Sequence, residues 1–324
     1  MPESRPDCPD PLAPRPAREA LLWARGFAAL ASAIIGLMVL GALVRAHGAG
    51  LACPDWPLCF GRFVPEFDLK VAFEWSHRVV AGSISLVYLG LAIGCWRRAV
   101  TPASVRKTLV VGGVVLAVQV ILGALTVWKL LASWSVTSHL LTANAFVLSV
   151  SFVAADFFER ANPPARKILP SRAQRFGISA LLALLIAQIA VGGLVASKYA
   201  GLVCPEWPTC IDGVWFPGFE GARGLHLVHR LLAYVLVVGL LAGAIATRSI
   251  PRLGRILAAG AVIGLAQACV GVANVLLRLP VEVTGLHSAL AAGLVILLAL
   301  ATREAWQGPR SSASNPRTAL DRST

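Results

Sequence analysis

The chain has 324 residues, 57% of them hydrophobic and 14% charged, with a formal net charge of +13. A soluble domain carries roughly 25% charged residues, so a water-soluble globular architecture is excluded. Nucleic acid is set aside as a partner too, because the basic residues lie in short loops between apolar runs, where the orientation of membrane spans accounts for them.

Residues 1–23 are rich in Pro, Arg and acidic groups and read as a disordered tail. The first apolar run is followed by no small-residue cleavage site, so it reads as a span rather than a signal peptide. Eight apolar runs follow in order, at 24–46, 74–96, 107–128, 135–157, 176–198, 225–247, 254–277 and 283–304. Each approaches or exceeds the roughly 20 residues needed to cross a bilayer as a helix, which satisfies its own backbone in lipid. The expected class is an all-α integral membrane protein whose direct solvent is the lipid bilayer. Residues 161–175 read as a linker and 306–324 as a second disordered tail.

Lys and Arg concentrate in alternate loops: Arg97, Arg98, Arg106 and Lys107; Arg160, Arg166, Lys167, Arg172 and Arg175; Arg248, Arg252 and Arg255. The positive-inside rule then places both termini in the cytoplasm of a bacterial cell, with the chain multi-pass in the plasma membrane. Two paired-cysteine loops face outward. One reads Cys53-Pro54-Asp55-Trp56-Pro57-Leu58-Cys59, the other Cys204-Pro205-Glu206-Trp207-Pro208-Thr209-Cys210. Outside the cytoplasm disulfides persist, and so short a loop can bring the Cα atoms within the ~4.4–6.8 Å a bridge requires. Spacing leaves two roles open for each pair, a structural staple or a redox-active dithiol. Neither loop offers the four ligands of a structural metal site. Cys8, Cys95 and Cys269 have no comparable partner and read as free thiols.

The chain repeats itself. Gly41-Ala42-Leu43-Val44 matches Gly192-Gly193-Leu194-Val195, and Gly50-Leu51-Ala52-Cys53 matches Gly201-Leu202-Val203-Cys204. Gln119 and Gly123 match Gln267 and Gly271, His77-Arg78 matches His229-Arg230, and His139 matches His287. Each half has an even number of spans, so the halves cross in the same sense and are related by an axis along the membrane normal. The expected architecture is two pseudo-symmetric four-helix bundles side by side, 24–160 and 176–305.

His77, His139, His229 and His287 begin spans 2, 4, 6 and 8, all at similar depth. A pair of imidazoles from two helices of one bundle suits bis-axial haem ligation, one ligand to each face of the iron. A di-metal site would want carboxylates beside them, and only Glu74 is at hand. Arg45, Arg78 and Arg230 lie close by and suit the propionates of a haem. Gly112, Gly113, Gly123, Gly260, Gly264 and Gly271 would admit a planar macrocycle or a neighbouring helix. The halves differ where Glu74, three residues before His77, is matched by His226. A carboxylate beside one haem can move protons, which suggests a reactive first site and an electron-relaying second one. His226 reads as a surface or supporting group, and His47 stays ambiguous.

These residues together resemble the haem A synthase family over roughly 24–304, in the bacterial subtype with two cysteine pairs. The resemblance rests on Gly50-Leu51-x-Cys53-Pro54-Asp55-Trp56-Pro57-x-Cys59, Glu74-x-x-His77-Arg78, His139, Cys204 and Cys210, His229-Arg230, and His287. It implies oxidation of the C8 methyl of haem O to a formyl group, through successive hydroxylations and loss of water, giving haem A for terminal oxidases. It implies that His77 and His139 flank the substrate, with Glu74 as the catalytic carboxylate. His229 and His287 would hold a permanent haem b. Cys53 and Cys59 would form a disulfide implicated in redox transfer, and Cys204 and Cys210 a structural one. Pathway logic adds a haem O synthase as partner. The chain departs from the family at His47-Gly48-Ala49, where Ser or Thr is common. Two axial histidines leave two routes open: a labile ligand in the first half, or water attacking the methyl carbon after electron withdrawal. A di-haem b-type cytochrome passing electrons from quinol would use the same four histidines without needing Glu74, and a transporter would use the repeat without iron. The electron partner, and whether the chain forms a homo-oligomer, are not legible in these residues.

Overall fold

The computed structural model describes residues 15–66, 68–98, 101–162 and 168–307. Expectations for 1–14, 163–167 and 308–324, and for Cys8, lie outside the described residues. Eight helices run α1 Arg15–Ala46, α2 Leu69–Trp96, α3 Ala103–Trp128, α4 Ser133–Ala161, α5 Arg172–Ser197, α6 Gly221–Ala246, α7 Pro251–Leu276 and α8 Val281–Trp306. All eight are long and apolar enough to cross a membrane, and no strand forms among the described residues beyond isolated bridges.

Most helices begin a turn or so before the apolar run that announced them, because their first turns carry polar or small residues; α2 and α5 are capped by side chains. Asp68 accepts from the Val71 N–H at 2.8 Å to start α2. Ser171 and Gln174 form a reciprocal capping box at α5. Pro251 stands in the first turn of α7, where its missing N–H is not needed. The largest correction is to the expected tail 1–23, of which residues 15–23 are helical. There Ala20 is buried, and Trp23 packs near Phe27 and Phe157, 6.4 Å between ring centroids in each case.

Within each half the helices neighbour one another in chain order, and the ring closes α1 on α4 and α5 on α8. The halves meet along α1 and α4 against α8 and α5. Small residues set the seam: a Cβ on Gly193 would fall 3.1 Å from Thr137 Cγ2, and one on Gly285 would fall 3.3 Å from Leu43 Cδ2. Thr137 and Gly285 occupy equivalent places, each two residues before its histidine, so the seam carries the pseudo-twofold relation too. Each half has its own apolar core. One asymmetry stands out: α6 and α7 pack closely, whereas α2 and α3 barely meet.

At the end away from the disulfide loops, charge ties the halves together. Arg303 of α8 donates to Glu159 of α4 at 2.7 Å and also to Asp156. Arg252 of α7 donates to Glu159 at 2.9 Å and lies 3.4 Å from Glu304. Glu159 is 3% exposed. A carboxylate so placed needs its cations, since an isolated buried charge is strongly disfavoured.

Candidate functional site

Helix α2 begins at Leu69, so Glu74, His77 and Arg78 lie on one helix face, at positions i, i+3 and i+4. The His77 ring lies against α1: a Cβ on Gly41 would approach its Cε1 to 3.0 Å. The other three histidines repeat this arrangement. His139 of α4 lies against Gly123 of α3 at 3.3 Å, His229 of α6 against Gly192 of α5 at 2.9 Å, and His287 of α8 against Gly271 of α7 at 3.3 Å. Sequence reading noted these glycines as marks of the repeat or as room for a macrocycle. Their register opposite the histidines was the signal that each makes room for a ring.

The two histidines of a half come from helices diagonal in the bundle, so they approach its centre from opposite sides. His77 and His139 lie within electrostatic reach of one another, as do His229 and His287. In all four rings Nδ1 is sealed in protein without a hydrogen-bond partner, while the residue as a whole stays half-buried. Gln119 of α3 reaches Nε2 of His139 at 3.3 Å. Among the described residues no group of three or more His, Cys, Asp or Glu could hold a bare ion. Two imidazoles suffice only for a metal that brings its own equatorial ligands. The donor set therefore fits a haem in each half, with His77 and His139 for one and His229 and His287 for the other.

Both cysteine pairs are closed as disulfides, Cys53–Cys59 with Cα atoms 4.7 Å apart and Cys204–Cys210 with 4.3 Å. Cys95 and Cys269 are free, as expected. The residue after each Cys-Pro organises its loop. Asp55 accepts from the N–H groups of Phe60 at 2.7 Å and Gly61 at 2.8 Å. Glu206 accepts from Asp212 at 3.0 Å, Gly213 at 3.1 Å and the Thr209 hydroxyl at 2.7 Å. The Gly61 N–H holds the Asp55 carboxyl below its ordinary range, and the Thr209 hydroxyl does the same for Glu206.

The arginine after each histidine grips the loop above it. Arg78 donates to the carbonyls of Asp55 and Leu58, both at 2.6 Å, and of Cys53 at 3.2 Å. Arg230 donates to the equivalent carbonyls of Glu206 at 2.9 Å, Thr209 at 2.9 Å and Cys204 at 2.8 Å. Arg45 donates across the seam to the Ala196 carbonyl at the end of α5, a cation on a helix C-terminus, and lies 6.0 Å from the Tyr199 ring. Sequence reading found all three suited to haem propionates. In the structure Arg78 and Arg230 clamp the loops above them, and Arg45 reaches the end of α5.

Glu74 and His226 hold equivalent places and do different work. Glu74 is 4% exposed; it accepts from the Cys53 N–H at 2.9 Å and from Arg78 at 2.5 Å. It therefore links the disulfide loop to the helix that carries His77. His226, expected as a surface or supporting group, is buried. Its Nε2 accepts from Arg230 at 3.2 Å, which leaves Nδ1–H to donate to the Ala200 carbonyl at 2.9 Å. A neutral imidazole thus completes the second clamp where a carboxylate completes the first. His47 stacks on Phe73, with ring centroids 4.2 Å apart.

A model of the cytochrome oxidase assembly protein family matches residues 24–300. A protein named heme A synthase from Halalkalibacterium halodurans is 33% identical over 227 residues, which cover 64% of this chain and 72% of that one. One of the same name from Shouchella clausii is 29% identical over 274 residues, 82% of this chain and 90% of that one. A third, from Shewanella oneidensis, is 27% identical over 324 residues, 86% and 94% of the two chains.

Proposed function

The chain belongs to the family of cytochrome oxidase assembly proteins that includes the haem A synthases, and we propose on that premise that it oxidises the C8 methyl group of haem O to the formyl group of haem A. Haem O is the substrate of the first half, flanked by His77 and His139. A haem b in the second half, held by His229 and His287, supplies a one-electron relay when bound. The observation that carries this reading is a difference between two sites matched in their histidines and arginines: Glu74 stands in the first half and His226 in the second.

On the route in which water supplies the oxygen, methyl plus water gives alcohol with release of two protons and two electrons, and a buried carboxylate at the rim can take up a proton where a neutral imidazole bonded on both nitrogens cannot. Arg78 keeps Glu74 oriented through the 2.5 Å ion pair. The glycines opposite His77 and His139 hold the rings at fixed depth, and the apolar helices around them exclude bulk water. The Cys53–Cys59 loop lies directly over this carboxylate through the Cys53 N–H, which supports a part for that disulfide in electron transfer. Cys204–Cys210 serves as a staple. The placement that goes with this reading is a plasma-membrane protein with the disulfide loops outside and both termini in the cytoplasm, supplied by a haem O synthase.

The experiment is pigment extraction from cells supplied with haem O and carrying either the intact chain or Glu74→Ala. Haem A is expected only with the intact chain. No haem A from the intact chain would sink the whole reading; undiminished haem A from Glu74→Ala would remove the carboxylate from it.

A further inference from the structure

The halves differ in a second place. Helices α1 and α2 meet where His77 lies against Gly41, and again near the far end, where Trp23 reaches Gly94 and Leu91 reaches Gly26. Between these contacts lies an apolar groove of about 360 Å³. It is lined by Ala29, Leu30 and Ala33 of α1 and by Val80, Ser83 and Val87 of α2. Val80 is one turn beyond His77, so the groove opens beside the proposed ligand and runs away from the disulfide loop. At a rise of ~1.5 Å per residue, its α2 wall is about 10 Å long.

The repeat gives the matching wall of the second half. In register, Ala33 corresponds to Leu184, Ser83 to Val235 and Val87 to Gly239. In the second half Leu181 crosses to α6, so that a Cβ on Gly239 would meet its Cδ2 at 2.5 Å, and one on Gly243 would meet its Cδ1 at 3.4 Å. Leu181 and Leu184 pack against that half's core. At two wall positions the second half carries the larger side chain, Leu184 for Ala33 and Val235 for Ser83, whereas Leu181 has its counterpart in Leu30.

We infer that this groove seats the hydrocarbon tail of the haem held between His77 and His139, the long prenyl substituent that haem O carries and protohaem lacks. The inference rests on the haem O reading of the first half and deepens it. Two axial imidazoles fix the iron but leave the macrocycle free to turn about the nitrogen–iron–nitrogen axis. A tail laid along α1 and α2 removes that freedom and determines which edge of the ring faces Glu74. Ordinary apolar burial gives little preference here, since lipid chains are as apolar as the groove. The selectivity comes from packing against a surface shaped by Ala33 and Ser83.

The test is a spectroscopic titration of the purified protein, its second-half haem in place, with haem O and separately with protohaem, following the bis-imidazole bands of the first site. Wild type should bind haem O roughly tenfold more tightly than protohaem. Ala33→Leu with Ser83→Val, which imports the second-half residues, should abolish that preference and leave protohaem affinity unchanged. An unaltered second-half haem spectrum checks the fold, and Ser83→Val alone serves if the double variant loses it. Wild type without preference, or a preference that survives the substitutions, would overturn the inference. So would a preference that disappears in phospholipid nanodiscs but not in detergent, because the groove would then belong to bilayer acyl chains. Failure to bind either haem at His77 and His139 would strike instead at the underlying site.

Discussion

Replacing Gly41 with alanine sets a methyl carbon 3.0 Å from Cε1 of His77, and the same change at Gly192 sets one 2.9 Å from Cε1 of His229. Carbon atoms rest at about 3.5–4.0 Å, so each ring must retreat by roughly half an ångström or more. Overpacking of this kind costs about 1–3 kcal/mol, while removing a helical glycine returns about 0.5–1 kcal/mol. The fold should therefore lose little, at most about 2.5 kcal/mol by that difference. A ligand site is less forgiving, because it needs its groups within about 0.5 Å of the productive geometry. Haem affinity at the affected half should fall roughly tenfold, a change of ~1.4 kcal/mol, with the other half unchanged. Gly123→Ala and Gly271→Ala, at 3.3 Å from His139 and His287, should have smaller effects. Gly36→Ala and Gly113→Ala, with nothing within 4 Å, should stabilise the protein slightly and leave the haems alone. The assay is haem titration by absorption beside thermal unfolding of the haem-free protein. Wild-type haem affinity in Gly41→Ala, or a comparable loss in Gly36→Ala, would refute the assignment of these glycines to the imidazole rings.

Three further outcomes follow from other parts of the molecule. Glu74→Gln keeps an oxygen acceptor for the Cys53 N–H but not the charge, so haem A formation should fall by about 100-fold or more with unfolding temperature nearly preserved; full activity would remove the carboxylate from the chemistry. Arg303→Met withdraws donors from the buried Glu159 and from Asp156 and should cost about 3 kcal/mol or more, read as a lowered unfolding temperature, whereas an unchanged temperature would mean the network contributes nothing net. The Asp55 and Glu206 carboxyls are held below their ordinary range, so the charged forms favour the folded loops. Their contribution is complete above about pH 5 and is lost only as pH falls through the folded values. Amide exchange at Phe60, Gly61, Asp212 and Gly213, corrected for intrinsic rates, should keep its protection from pH 7 to 5; a loss in that window would contradict the sign.

The spans, the repeat and the four histidines were legible because each has a periodic or duplicated signal. Apolar runs announce themselves by length, and a motif written twice separates signal from accident. Helix starts were placed late because hydropathy does not register a polar first turn, as at Arg15–Trp23. The loop contacts of Arg78 and Arg230 were not legible, because only coordinates reveal three loop carbonyls within reach of each. The Asp156–Glu159–Arg252–Arg303 network was hidden for a related reason: charges at span ends look like loop residues until distant helices bring them together. His226 shows the opposite case. Its alignment with Glu74 was visible, but the alignment could not tell that a neutral ring takes over as acceptor for the equivalent arginine, Arg230.

The arginine clamp has an evolutionary consequence. Arg78 and Arg230 grip oxygen atoms that every amino acid possesses, so the grip does not depend on which side chains the loop displays. A duplicated gene could let one loop drift in sequence, Asp55 against Glu206 and Leu58 against Thr209, without changing the backbone path above the helix. The same indifference suggests a practical use: exchanging the two loop segments between the halves should give a chain that still folds, with any change in catalysis attributable to side chains alone.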